Sequence, residues 1–350
     1  MSRPSPITPD RLGEFDCLID ARSPAEYALD HLPGAINCPV LDDDERRIVG
    51  TLYKQQGAFE AKRVGGAMVA AQLARHLRES FADKPKSWRP LIYCWRGGMR
   101  SGTMVQWLRL VGWDAQQLHG GYKAFRGHVM ERIATLAPLL KLQVICGPTG
   151  SAKTALLHAL RDAGAQVLDL EALARHKGSI LGRWPGQEQP SQKAFETGLA
   201  LALQAFDPAR PVFVEAESRK IGRLMLPDAV LAALRAADCI AIEAPLHARL
   251  SYLLQDYAYL GHDGEALATL LGQLNANTGL HANETVTRWQ AWARAGQLAP
   301  LFEALMTAHY DPLYARSQRS HYLRLAEARP LVLERLEGQD LARAAQSLLA

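Results

Sequence analysis

The chain has 350 residues, of which 48% are hydrophobic and 22% charged, and carries a formal net charge of +4. That balance fits a globular protein long enough for two domains and excludes a disordered, fibrous or strongly polycationic chain. The five cysteines are scattered without a C-x-x-C pair, which argues against a disulfide framework or a structural metal knuckle.

In chain order, the N-terminal MSRPSPITPDRLGEFD lacks the charged start and apolar core of a signal peptide. No apolar stretch nears the roughly 18 residues needed to span a bilayer, so a cytoplasmic protein without a membrane segment is expected. FDCLID reads as a short strand ending at Asp20, and Ser23-Pro24 and Pro33-Gly34 punctuate the segment after it. Lys62 to Leu77 carries apolar residues at helical spacing. PLIYC is a compact strand, SGTMVQWLRLVG a helix closed by Gly112, and AQQLHGG another strand. After a helix ending near Pro138 the pattern restarts: LQVICGPTGSAKTALLHAL is strand, loop and helix, AQVLDL a second strand and RPVFVE a third. From about residue 245 helical pattern dominates.

The fold class expected is α/β, two parallel-sheet domains with a helical C-terminal part. The boundaries are 1–130, a helix end at 131–140, 141–245 for the second α/β domain, and 246–350 for helices packed on it.

YCWRGGMRSG, residues 93–102, follows the first domain's buried strand. A thiol is a nucleophile only as thiolate, and backbone N–H groups at a helix N-terminus favour that anion. Gly97 and Gly98 let the loop curl, Arg96 and Arg100 offer charge, and Ser101 opens the helix. Cys94 is the candidate nucleophile. A phosphatase, a chalcogen carrier and a buried structural thiol all remain open from this segment alone.

Gly147-Pro148-Thr149-Gly150-Ser151-Ala152-Lys153-Thr154 lies between a strand and a helix, the context a phosphate-binding P-loop requires. Gly147, Gly150 and Ser151 shape a cradle of N–H groups, Lys153 reaches terminal phosphates, and Thr154 can hold Mg²⁺. Alanine replaces glycine at Ala152, which strains the loop by about 1 kcal/mol if that position needs positive φ. Glu215 or Glu217, and next Asp169, are candidate Mg²⁺-site acids. Trp289 and Trp292, at i, i+3 spacing, read as core residues.

Several of these segments resemble known families. Asp20-Ala21-Arg22 with Glu26, His31-Leu32-Pro33-Gly34-Ala35, the Cys94 loop and Leu118-His119-Gly120-Gly121 with Phe125 resemble the ordered motifs of rhodanese domains. Five residues separate Cys94 from Arg100, one more than in the usual sulfurtransferase loop. This spacing resembles that of the rhodanese-related phosphatases and suits a tetrahedral anion, although Tyr93 stands where those phosphatases carry histidine. The G-P-T start of the P-loop resembles that of tRNA dimethylallyltransferases.

A rhodanese-like domain joined to a P-loop domain, with GTLYKQQGAFEA, GGYKAFR, DLEALARHKGS and VEAESRKIG, resembles the tRNA 2-selenouridine synthase family. The resemblance implies conversion of the wobble 2-thiouridine of tRNA to 2-selenouridine. Geranyl diphosphate would alkylate the sulfur, and selenophosphate would supply selenium. Cys94 would then be an S-selanyl intermediate, Arg96, Arg100 and the loop N–H groups would bind phosphate, and the P-loop would bind diphosphate. Arg219, Lys220 and Arg223 are candidate tRNA contacts. A monomer with no tightly bound cofactor, and a selenophosphate synthetase as a candidate partner, complete the expectation. The competing readings are a sulfurtransferase with a regulatory NTPase domain and a nucleotide-dependent tRNA-binding module.

Overall fold

Two parallel sheets organise the chain, one in each of the two units into which it divides, residues up to Arg132 and Ile133–Ala350. The structure is a computed structural model that describes residues 6–179, 181–184 and 186–350.

The first unit runs β1 (Cys17–Asp20), α1 (Pro24–Leu29), β2 (Ile36–Asn37), α2 (Asp43–Gln55), α3 (Ala58–Glu79), β3 (Pro90–Tyr93), α4 (Met99–Val111), β4 (Gln116–Gln117) and α5 (Gly121–Leu136), which continues past the division. Local chemistry sets these boundaries. Asp42 and Glu45 form a reciprocal capping box at α2, and Gly112, with φ 113°, ends α4 in the left-handed conformation. The strand order is β2-β1-β3-β4, all parallel, and every residue of β3 is buried. Both faces of such a sheet are covered, so its strands read as unbroken apolar runs. Ile19, Ile92, Met104, Leu108, Phe81 and Trp88 form its core. The order reverses between β1 and β3, and the loop beyond the carboxyl end of β3 opens where α/β sheets bind ligands.

The second unit contains β5 (Lys141–Cys146), α6 (Lys153–Asp162), β6 (Gln166–Leu168), α7 (Leu170–Ala174), α8 (Gln192–Ala205), β7 (Pro211–Glu215), the hairpin β8 (Lys220–Ile221) and β9 (Leu224–Met225), α9 (Asp228–Ala236) and β10 (Asp238–Glu243). Then come α10 (Leu246–Asp256), α11 (Gly264–Thr278), α12 (Asn283–Arg294), α13 (Leu298–Leu305), a π-helical turn at Met306–Tyr310, α14 (Asp311–His321), β11 (Arg329–Val332) and α15 (Gly338–Leu349). The main sheet has the order β11-β10-β5-β7-β6, all parallel, with β5 at its centre. The stretch after residue 245 is helical apart from β11, which returns to pair with β10 at the sheet edge. Leu267, Leu271, Trp289, Leu301 and Phe302 build a separate helical core. Trp289 is 1% exposed and Trp292 packs against that core, as their spacing suggested.

Candidate active sites

In the first unit, Cys94 leaves the end of β3 and its sulfur faces back to the helix N-terminus. Gly98 N–H donates to Sγ at 3.2 Å and the Ser101 hydroxyl at 3.1 Å. Gly97, with φ 66°, makes the turn, and a Cβ there would stand 2.9 Å from Leu118 O. The Gly120-Gly121 segment closes over the loop from the other side, since a side chain at Gly121 would collide with Cys94 O. The first N–H groups of α5 hold the loop carbonyls, Tyr122 N to Cys94 O at 2.8 Å and Lys123 N to Trp95 O at 2.9 Å. The two motifs, far apart in sequence, are thus one structure.

Below the loop, Arg22 is fully buried and bonds Asp20 Oδ2 at 2.6 Å and Asp30 O at 2.7 Å, with Tyr122 stacked on it at 3.9 Å. This is a buried, satisfied ion pair that shapes the scaffold. Arg96 is exposed beside the loop and makes no hydrogen bond among the described residues. Arg100, expected as an anion ligand, is held by a carboxylate of its own unit. Its guanidinium is engaged bidentately by Glu26, Nη1 to Oε2 at 2.5 Å and Nη2 to Oε1 at 3.2 Å. Burial raises the pKa of Glu26, but the hydrogen bond and charge of Arg100 outweigh it and hold the carboxyl below its usual value. The positive field at the loop therefore comes from Arg96 and backbone N–H groups, with Arg100 neutralised by its partner.

In the second unit the P-loop bridges β5 and α6. Lys153 Nζ folds over the loop onto Gly147 O and Pro148 O, both at 3.2 Å, and Ser151 Oγ donates to Pro148 O at 2.8 Å. Ala152 has φ 56° and ψ 33°, so the position does require the left-handed region. Gly150, with φ 78°, lies so close to α10 that a Cβ would come 2.8 Å from Arg249 O. Arg249 Nη1 in turn donates to Thr149 O at 3.0 Å and to Asp311 Oδ2 at 2.9 Å, tying α10 and α14 to the loop.

Three carboxylates meet beside Thr154. Glu171, Glu215 and Glu217 present oxygens within 4.8 Å of one another, and the Thr154 hydroxyl donates to Glu171 Oε2 at 3.3 Å. Glu215 and Glu217 are the candidate acids read from the sequence, whereas Asp169 is turned away. Asp169 caps α7 by accepting from Ala172 N at 2.8 Å and bonds His158 Nε2 at 3.0 Å. Glu171, two residues further and inside the first turn, takes the inward place. Burial, then the charges of Glu215 and Glu217, push the Glu171 carboxyl up to about 10. Burial raises Glu215 and Glu217 as well. Glu215 Oε1 is buried without a hydrogen-bond partner among the described residues. Three hard oxygen donors, one of them orphaned, beside a threonine hydroxyl fit a divalent cation such as Mg²⁺.

The P-loop and these acids line a pocket that opens to solvent. The rest of its lining is mixed: the apolar and aromatic side chains of Leu253, Tyr257, Phe302, Leu305, Tyr310 and Tyr314, with Lys177 and Asp256 among them. No sequence motif marks the apolar and aromatic residues, because they come from α10, α13, α14 and the π-helical turn. Arg219, Lys220 and Arg223 sit exposed around the β8–β9 hairpin. Arg219 pairs with Asp228 at 2.6 Å and Arg223 bonds Gln189 O, so among the described residues Lys220 is the one of the three whose side chain has no such partner.

The model of the tRNA 2-selenouridine synthase AAA domain matches residues 140–282, and that of the rhodanese-like domain matches residues 9–128. The protein named tRNA 2-selenouridine synthase from Nitrosomonas europaea is 42% identical over 253 residues, which cover 71% of this chain and 65% of that protein. The one from Alcanivorax borkumensis is 34% identical over 326 residues, 85% of this chain and 88% of its own. The match therefore spans about two thirds of the Nitrosomonas relative and most of the Alcanivorax one. Among the described residues no helix is long and apolar enough to cross a membrane.

Proposed function

The chain belongs to the tRNA 2-selenouridine synthase family, and from that premise we propose that it replaces the sulfur of a wobble 2-thiouridine in tRNA by selenium, using geranyl diphosphate and selenophosphate. The observation that carries the reading is the pocket of the second unit, anion-binding at the P-loop and lined elsewhere by apolar and aromatic side chains with Lys177 and Asp256 among them. A prenyl diphosphate matches both parts at once.

In the first reaction the thiocarbonyl sulfur bonds to the allylic carbon of geranyl diphosphate, the carbon–oxygen bond breaks and diphosphate leaves. Lys153 and the N–H groups of Gly150 to Thr154 bind the negative charge that develops on the leaving group. Tyr257, Phe302, Tyr310 and Tyr314 line the pocket and supply aromatic surface for the geranyl chain and for positive charge on the allyl group. Mg²⁺, where bound, would be held by Thr154, Glu215 and Glu171 and would offset diphosphate charge.

In the second reaction selenium from selenophosphate bonds to C2 of the base, geranylthiol leaves, and the phosphorus–selenium bond breaks as the phosphoryl group passes to water as phosphate. Cys94 is the residue that engages the selenium donor, its thiolate in a loop whose N–H groups and Arg96 attract a tetrahedral anion. Tyr93 before Cys94 speaks against phosphatase chemistry at this loop, since the related phosphatases carry histidine there.

The test is mass spectrometry of wobble nucleosides after incubation of purified protein with thiolated tRNA, geranyl diphosphate and selenophosphate, each omitted in turn. Cys94→Ser is expected to accumulate S-geranyl-2-thiouridine without selenouridine, and Lys153→Ala to lose most geranyl transfer. Normal selenium incorporation by Cys94→Ser would overturn the role of the thiol. Unchanged geranyl transfer by Lys153→Ala would overturn that of the P-loop.

A further inference from the structure

Counting donors and acceptors beside Cys94 fixes the direction of one proton. Gln117 ends β4, whose pairing with β3 sets Gln117 opposite Ile92. Its Nε2 lies 3.0 Å from Gly98 O and 2.8 Å from Ser101 Oγ. A carbonyl oxygen only accepts, so the side-chain atom facing Gly98 O is the amide nitrogen, and that nitrogen also donates to Ser101. Ser101 Oγ has one proton left to give. Its two neighbours are Cys94 Sγ at 3.1 Å and Gly98 O at 3.4 Å. Gly98 O already accepts from Gly102 N at 3.0 Å and from Gln117, which fills both of its lone pairs. The Ser101 proton is left with the sulfur.

We propose that Gln117 is a positioning residue for Cys94: by occupying Gly98 O and Ser101 Oγ it directs the Ser101 proton onto Sγ and favours the thiolate. Ser101 is fully buried, so no water competes for that proton. Of the charged groups around the loop, Arg100 is paired with Glu26, Arg22 with Asp20 and Arg126 with Asp30, while Arg96, His119 and Lys123 are exposed to solvent. The two fixed donors, Gly98 N–H and Ser101 O–H, are therefore the specific local support of negative charge on sulfur. The role of Gln117 rests on the reading of Cys94 as the reacting sulfur, and its test is independent of selenium transfer.

The experiment is the pH profile of iodoacetamide alkylation of Cys94 in the full chain, read by peptide mass spectrometry, with the other four cysteines as internal controls of folding. Gln117→Leu frees Gly98 O to take the Ser101 proton. The profile is expected to move up by about one pH unit, about a tenfold lower rate at a pH below both midpoints. Ser101→Ala should move it at least as far, and Gln117→Leu with Ser101→Ala no further than Ser101→Ala alone. Gln117→Glu, which would accept the Ser101 proton itself, should move the profile further than Gln117→Leu. A Gln117→Leu profile that superimposes on the wild type overturns the proposal, and so does a shift that adds fully to that of Ser101→Ala. Cys94→Ser that still incorporates selenium would instead overturn the reaction reading and leave the thiol titration standing.

Discussion

Ala152 and Arg175 are the two non-glycine residues with positive φ among those described, at 56° and 50°. The left-handed region costs an L-residue about 1–2 kcal/mol, so both positions store strain. Their surroundings differ. Arg175 is exposed and caps the end of α7, where glycine is the common terminator. Arg175→Gly is therefore expected to stabilise the protein by about 0.5–1 kcal/mol in urea unfolding. Ala152 is 3% exposed and its methyl belongs to the buried cluster that includes Ile145, Leu156 and Ile242. Removing a buried methyl costs about 0.8 kcal/mol, which offsets the relief of strain. Ala152→Gly should leave stability within about 0.5 kcal/mol of wild type. If it stabilised as much as Arg175→Gly, the packing argument for alanine in the P-loop would fail. At this scale the sequence disclosed residue types and local loops, but not who faces whom. Asp169 precedes an apolar helical run, the position of an N-cap, and that signal could have pointed to Glu171 as the inward acid. Nothing local announces that Glu26 takes Arg100, because the two are 74 residues apart.

Strands and helices bring the three glutamates together. β7 delivers Glu215 with Glu217 two residues beyond it, and the first turn of α7 delivers Glu171. Their pKa values are raised in the folded protein relative to about 4.3 in an unfolded chain. The folded state therefore binds more protons than the unfolded state across that window. Their contribution to stability is fully present below about pH 4.3 and is lost as pH rises toward the folded values, about 8 for Glu217 and about 10 for Glu171. In chelator, wild type is expected to be less stable at pH 8 than at pH 5, and Glu171→Gln should flatten that slope. Millimolar Mg²⁺ should flatten it too, by taking the place of the protons. A wild-type slope of opposite sign in urea unfolding would mean that the carboxylates are not mutually repelling in solution. Elements themselves were legible where their signals are local. Strand-loop-helix around Cys94 and around Lys153 stood in the sequence because glycines and apolar runs there act over a few residues. The edge strand β11 and the aromatic pocket wall did not, since both depend on pairing with segments far away in the chain.

Each site is lined by residues of its own unit: the Cys94 loop by Glu26, Ser101, Gln117 and the start of α5, and the pocket by residues from Thr149 to Tyr314. Under the proposed function one base must visit both, and the compound between the visits is an S-geranyl tRNA that needs neither site to persist. Such an intermediate can leave one molecule and enter another. A mixture of two full-length variants, Cys94→Ser with an intact P-loop and Lys153→Ala with an intact thiol, should then make far more selenouridine from thiolated tRNA than either does alone. A lag that lengthens on dilution is the expected signature, since the second encounter is bimolecular. Binding of tRNA to each variant should weaken with added salt as phosphate contacts are screened, and to the same degree in both, because neither substitution touches the exposed basic surface. Failure of the mixture to restore product, with S-geranyl tRNA accumulating as it does for Cys94→Ser alone, would mean that both steps must occur within one bound complex. In that case the joining of the two units in one chain would be part of the chemistry, for the Cys94 loop would act on a base that never leaves the molecule.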